Sequence, residues 1–161
     1  MRVLSRFLSH MALWLSALGI VTMTLIMVWQ VIGRYVLDNA PAWTEQAALF
    51  LMLWFVQFAA AAGVREGFHI RIALFDHSLQ GWRRLANSVF CHLVVAGFGA
   101  AMVMGGAALI KATWSHDIPT LGLPRGLAYA PLAVSGALIV FFALEHIMAE
   151  LRGERVEPLW N

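Results

Sequence analysis

The sequence predicts an all-α integral membrane protein of four transmembrane helices with both termini in the cytoplasm. Three observations carry this prediction. Of 161 residues, 61% are hydrophobic and 12% charged, with a mean hydropathy of +0.75, whereas a soluble domain holds about 45–50% apolar and about 25% charged residues. The charges are clustered so that four stretches of 27, 19, 26 and 19 residues contain none: those between Arg6 and Arg34, Glu45 and Arg65, Arg84 and Lys111, and Arg125 and Glu145. A helix rises about 1.5 Å per residue and the hydrocarbon core is about 30 Å thick, so each stretch can span it. Finally, Arg2, Arg6, Arg65, Arg71, Arg83, Arg84, Arg152 and Arg155 fall at the termini and the second loop, against Arg34, Lys111 and Arg125 at the first and third loops. That asymmetry places both termini inside.

The first span, over residues 7–32, follows an Arg-bearing start as a signal peptide does, but its apolar run exceeds the 7–15 residues of an h-region, so it reads as an uncleaved helix. The second span covers 43–64, the third 85–110 and the fourth 127–148, together forming a single membrane domain over 1–161. Trp29, Trp43, Trp114 and Tyr129 then fall near the outer interface and Trp82 near the inner one, as an aromatic belt requires. In the second loop, Phe68, Ile72, Phe75 and Leu79 recur at helical spacing with Arg71, Asp76 and Gln80 between them. This pattern predicts an amphipathic interfacial helix over about 68–80. The third loop contains Pro119, Gly122 and Pro124 and reads as a compact turn, and Pro131 falls near the start of the fourth span.

The helix faces carry packing signals rather than chemistry. Phe50, Trp54 and Phe58 stand four residues apart on span 2, and Gly97, Ala101 and Gly105 form a small-residue stripe on span 3. Such stripes allow close helix approach, either within this bundle or against a separate membrane protein. The central parts of the spans lack Asp, Glu, Lys and Arg, leaving Gln57 and His92 as the polar groups there. An autonomous transporter needs an ionisable group or a broken helix inside the membrane, so the chain reads as an accessory subunit. Gln57 is expected to bond to a neighbouring helix, and Cys91 to be a small buried residue.

Two rival readings come from other classes. His10, His92 and His146 all fall in the cytoplasmic half, where a facing pair could ligate haem in a four-helix electron carrier. An autonomous small exporter is the second rival. No His/Cys/Asp cluster has metal-ligand spacing, no nucleophile constellation is present, and the net charge of +2 is spent on topology rather than on nucleic acid. The residues themselves therefore call for neither cofactor nor metal nor enzymatic activity.

Three short motifs carry a resemblance. Span 1 ends Val28-Trp29-Gln30-Val31-Ile32-Gly33-Arg34-Tyr35-Val36-Leu37, span 2 opens Ala42-Trp43-Thr44-Glu45-Gln46, and it is followed by Gly63-Val64-Arg65-Glu66-Gly67-Phe68-His69-Ile70-Arg71. In this order, with four spans, the chain resembles the small membrane subunit of tripartite ATP-independent periplasmic (TRAP) transporters, the DctQ-like family. The family often carries a second acid where this chain has Gln46, and small residues where it has Phe68. The resemblance implies a bacterial inner-membrane location, a much larger membrane subunit that carries sodium and substrate, and a periplasmic substrate-binding protein. It further implies a bracing role in the uptake of an organic anion bearing a carboxylate. Candidate structural or partner-interface residues are Arg34, Tyr35, Trp43, Glu45, Trp54, His69, Gly97, Ala101 and Gly105. Arg34 and Glu45 allow two readings: an ion pair pinning spans 1 and 2, or an arginine snorkelling to phosphates beside a glutamate that suits a helix N-terminus.

Overall fold

The computed structural model describes residues 2–39, 41–67 and 82–152. Four helices fill them: α1 (Arg2–Tyr35), α2 (Trp43–Glu66), α3 (Trp82–Thr113) and α4 (Gly126–Leu151). All four are long and apolar enough to cross a membrane. Each runs past its charge-free stretch, because a helix gains one backbone hydrogen bond per added residue and has no reason to stop at the hydrocarbon edge. The predicted interfacial segment over 68–80, with His69, lies outside the described residues.

Helix ends follow local chemistry. α1 gives way to a turn in which Asn39 N–H bonds Gly33 O at 2.9 Å and Asp38 takes a positive φ of 50°, a conformation that Asp tolerates better than most residues. At the start of α2, Thr44 Oγ1 donates to Pro41 O at 2.7 Å and Glu45 lies in the first turn. α2 closes on Gly67 at φ 74°, whose N–H reaches back to Gly63 O and Val64 O, the left-handed cap that glycine adopts without strain. Between α3 and α4 the expected compact turn is a miniature antiparallel hairpin, β1 (Asp117–Ile118) on β2 (Leu123–Pro124), with Ile118 buried and Gly122 at φ 62°. Pro131 lies inside α4 and is buried.

The helices pack in the order α1, α2, α4, α3. Within the apolar stretches, 11% of residues are buried inside the chain in α1 and in α3, against 28% in α2 and 33% in α4. α2 and α4 are therefore central, and α1 and α3 are edges with one broad face each turned outward. The core between the two hairpins is Ala61 and Val64 of α2 against Ile139 and Phe142 of α4.

Within each hairpin the helices approach closely. On α1, Ser5, Ser9, Ala12, Ser16, Gly19, Met23, Ile26, Gln30 and Gly33 are buried or half-buried at alternating steps of four and three, the heptad spacing of a continuous seam. A Cβ added at Gly19 would stand 2.7 Å from Phe55 Cβ. In the other hairpin, Cβ atoms added at Gly99 and Gly136 would stand 2.9 and 2.7 Å from each other's carbonyl oxygens, and one at Gly106 would meet Ala133 N at 2.8 Å. Only glycine permits this approach. Cys91, expected to be buried, is exposed on α3, because its position falls outside the set of residues that α3 turns toward α4.

Candidate functional site

The two alternate sides of α3 have different fates. Ser88, His92, Val95, Gly99, Met102 and Gly106 face α4 and are buried or half-buried. Gly97, Ala101 and Gly105 fall on the other side, exposed, and a Cβ added at Gly97 or Gly105 would meet nothing within 4 Å. Among the described residues the expected small-residue stripe therefore makes no contact between helices; a second, interleaved set of glycines does that. Phe90, Phe98 and Met104, all well exposed, flank the open stripe.

At the end where α1 meets α2, Arg34 and Glu45 are both exposed, and among the described residues no ion pair joins them. The pinning reading is thereby corrected: Tyr35 and Trp43 beside them are exposed too, so nothing shields the charges from solvent or headgroups and Coulomb attraction there is weak. Glu45 retains the favourable first-turn position. Trp54 is half-buried between Phe50 and Phe58, with ring centroids 6.1 and 5.9 Å away, and its buried indole N–H has no acceptor. Gln57 behaves as expected, accepting from Ser135 Oγ of α4 at 3.3 Å.

The opposite end, which carries the described residues nearest both termini, holds a constellation that sequence reasoning missed. Ser5 and Ser9 of α1, Arg65 and Glu66 of α2 and Glu145 and His146 of α4 are all buried. Arg65 donates from one terminal guanidinium nitrogen to Glu66 Oε1 at 2.7 Å and from Nε to Ser5 Oγ at 3.1 Å. Ser5 Oγ in turn donates to Glu145 Oε1 at 2.7 Å, and Ser9 Oγ donates to Glu66 Oε1 at 2.9 Å. His146 Nε2 donates to Arg65 O at 3.0 Å. Glu145 Oε2 is buried without a partner among the described residues.

The layer continues to α3. The rings of His92 and His146 stack with centroids 4.9 Å apart and planes 19° apart, His92 Nδ1 donates to Ser88 O at 2.8 Å, and Ser88 Oγ donates to Glu150 Oε1. This excludes a haem held between His92 and His146: rings in direct contact leave no space for a porphyrin between them. One expectation is corrected here: Arg65 is not a loop residue but sits buried in the last turn of α2. His146 is bonded within the chain, to the Arg65 carbonyl. The sequence signal was the heptad stripe beginning Ser5, Ser9, Ala12, Ser16, which marks a buried face that accepts hydroxyls.

Comparison with known proteins assigns the whole. The family model described as "Tripartite ATP-independent periplasmic transporters, DctQ component" matches residues 23–153. The chain is similar to the sialic acid TRAP transporter small permease protein SiaQ of Vibrio cholerae, 25% identical over 123 residues that cover 76% of this chain and 70% of the relative. It is 28% identical over 111 residues to the C4-dicarboxylate TRAP transporter small permease protein DctQ of Rhodobacter capsulatus, covering 64% of this chain and 46% of that one. A third relative, the isethionate TRAP transporter permease protein DctMQ of Oleidesulfovibrio alaskensis, is 27% identical over 131 residues, which are 77% of this chain and 20% of the relative. With the family model covering most of its length and four helices able to span a membrane, the chain belongs to the DctQ family of TRAP transporters, as a multi-pass, non-enzymatic small permease subunit of the inner membrane.

Proposed function

We propose that this subunit braces a large membrane subunit that itself moves substrate and sodium, for uptake of an organic anion carrying a carboxylate and delivered by a periplasmic binding protein. The observation that carries the reading is the outer face of α3. Gly97, Ala101 and Gly105 form an open stripe flanked by Phe90, Phe98 and Met104, and none of the described residues packs on it. In lipid, helices associate through close packing rather than hydrophobic drive, so a partner helix gains contact there that lipid chains give less well. The DctMQ relative supports the partnership, since the part similar to this chain makes up one fifth of a longer permease protein. The relatives named for sialic acid and C4-dicarboxylate support an anionic substrate. Arg34, Tyr35, Trp43 and Glu45 are exposed at the α1–α2 turn. The Lys/Arg asymmetry puts that turn on the periplasmic side and both termini in the cytoplasm, so these four residues stand where the binding protein or the periplasmic edge of the large subunit can be met.

The test is co-expression of this chain with the large permease protein and affinity purification in mild detergent. The brace predicts stoichiometric recovery that falls when the α3 stripe is filled with leucine. Sodium-dependent uptake by this chain alone in liposomes would contradict it.

A further inference from the structure

The buried and half-buried polar side chains at the end of the molecule link all four helices. Ser5 lies at the junction of three: its hydroxyl, fully buried, accepts from Arg65 Nε of α2 and donates to Glu145 Oε1 of α4. Beside it His146 is tied to the Arg65 carbonyl of α2 and stacked on His92 of α3.

Each hairpin is locked internally by backbone proximity, α1 to α2 at Gly19 and Phe55 and α3 to α4 at Gly99, Gly106 and Gly136. The seam between the hairpins is different. Away from the polar end it consists of apolar side chains such as Ala61, Val64, Ile139 and Phe142 and the long hydrogen bond between Ser135 and Gln57. Lipid tails are as apolar as these side chains, so such a seam resists opening only through its packing. The polar end is held instead by directed hydrogen bonds among Ser5, Arg65 and Glu145, which apolar contact with lipid does not replace.

We propose that this layer is a clasp that fixes the α1–α2 hairpin against the α3–α4 hairpin, with Ser5, Arg65 and Glu145 as its positioning residues. Arg65 is engaged by Glu66 on its own helix, so its charge reaches α4 through the Ser5 hydroxyl. Glu145 hangs on that hydroxyl by one oxygen while its other oxygen has no partner among the described residues. Once the hydroxyl is gone, the carboxylate is better satisfied by water beyond the helix ends than by its present site, and reaching water requires α4 to move from α1 and α2. Because α3 is locked to α4, the whole second hairpin moves with it. The clasp thus sets the angle between the outward faces of α1 and α3.

The experiment uses the full chain in nanodiscs, with its single cysteine removed by Cys91→Ser and spin labels on cysteines placed at Leu18 of α1 and Phe98 of α3, both exposed. Pulsed EPR should give one narrow distance distribution. Ser5→Ala and Glu145→Leu should abolish the single narrow peak while circular dichroism stays helical. Ser16→Ala should leave it intact, because that hydroxyl, also buried, bonds within the first hairpin, to Ala12 O and Phe55 O. If Glu145→Leu fails to fold, Ser5→Ala still decides. A narrow peak retained in Ser5→Ala, or the same broadening in Ser16→Ala, would overturn the clasp.

Discussion

Glu66 and Arg65 show what a charge needs at the end of a membrane helix. Their side chains are 0% and 2% exposed and 2.7 Å apart, and removing the arginine breaks a buried ion pair, at a cost of up to about 3–5 kcal/mol. Arg65→Leu should therefore lower the thermal midpoint in detergent strongly. Ser5→Ala strips a partner from Arg65 Nε and from Glu145 Oε1, and should cost about 1–3 kcal/mol. Arg34→Ala and Glu45→Ala remove exposed, unpaired charges and should stay within about 0.5 kcal/mol of the parent. A large loss of stability in either of the last two would mean that the two charges interact after all.

Among the helices, α3 gives the clearest contrast because it bears two glycine sets. Gly99→Leu or Gly106→Leu drives a side chain into α4 backbone within 3 Å and should split the second hairpin, read as loss of folded protein on size exclusion. Gly97→Leu and Gly105→Leu enter open space and replace glycine by a stronger helix former, worth up to about 1 kcal/mol each. They should fold at least as well as the parent, so a loss of partner binding cannot be put down to a weaker chain. The four helices were legible in the sequence, since hydropathy and charge gaps read the bilayer directly. Which glycine set faces inward was not: both recur near helical spacing, and the choice is made by the neighbouring helix, which periodicity does not name. The polar layer was hidden for a related reason. Ser5, Arg65, Glu145 and His146 lie at the ends of the predicted spans, where hydropathy gives no reason for burial, and only the convergence of α1, α2 and α4 buries them. Gln57 was legible because a lone amide in mid-span must find a partner on a neighbouring helix.

For the whole molecule, topology and transport are separate claims. Reporter fusions after Trp82 and at the C-terminus should report cytoplasm, and fusions at Asn39 and His116 periplasm, because eight of eleven Lys and Arg residues lie on the terminal side. Any inverted span would break the scheme. If coupling chemistry resides in the partner, Gln57→Leu in a reconstituted complex removes a hydrogen bond between α2 and α4 and should leave the sodium stoichiometry of uptake unchanged. A changed stoichiometry would place part of the ion pathway in this subunit.

The most direct test of the brace is recovery of the large permease protein on this chain when the outer face of α3 is filled. Gly97→Leu combined with Gly105→Leu should leave the small subunit folded and helical yet lose most of the co-purified partner, with uptake falling in proportion. Full recovery of the partner with both leucines in place would contradict the account, because it would remove the surface on which the proposed bracing rests.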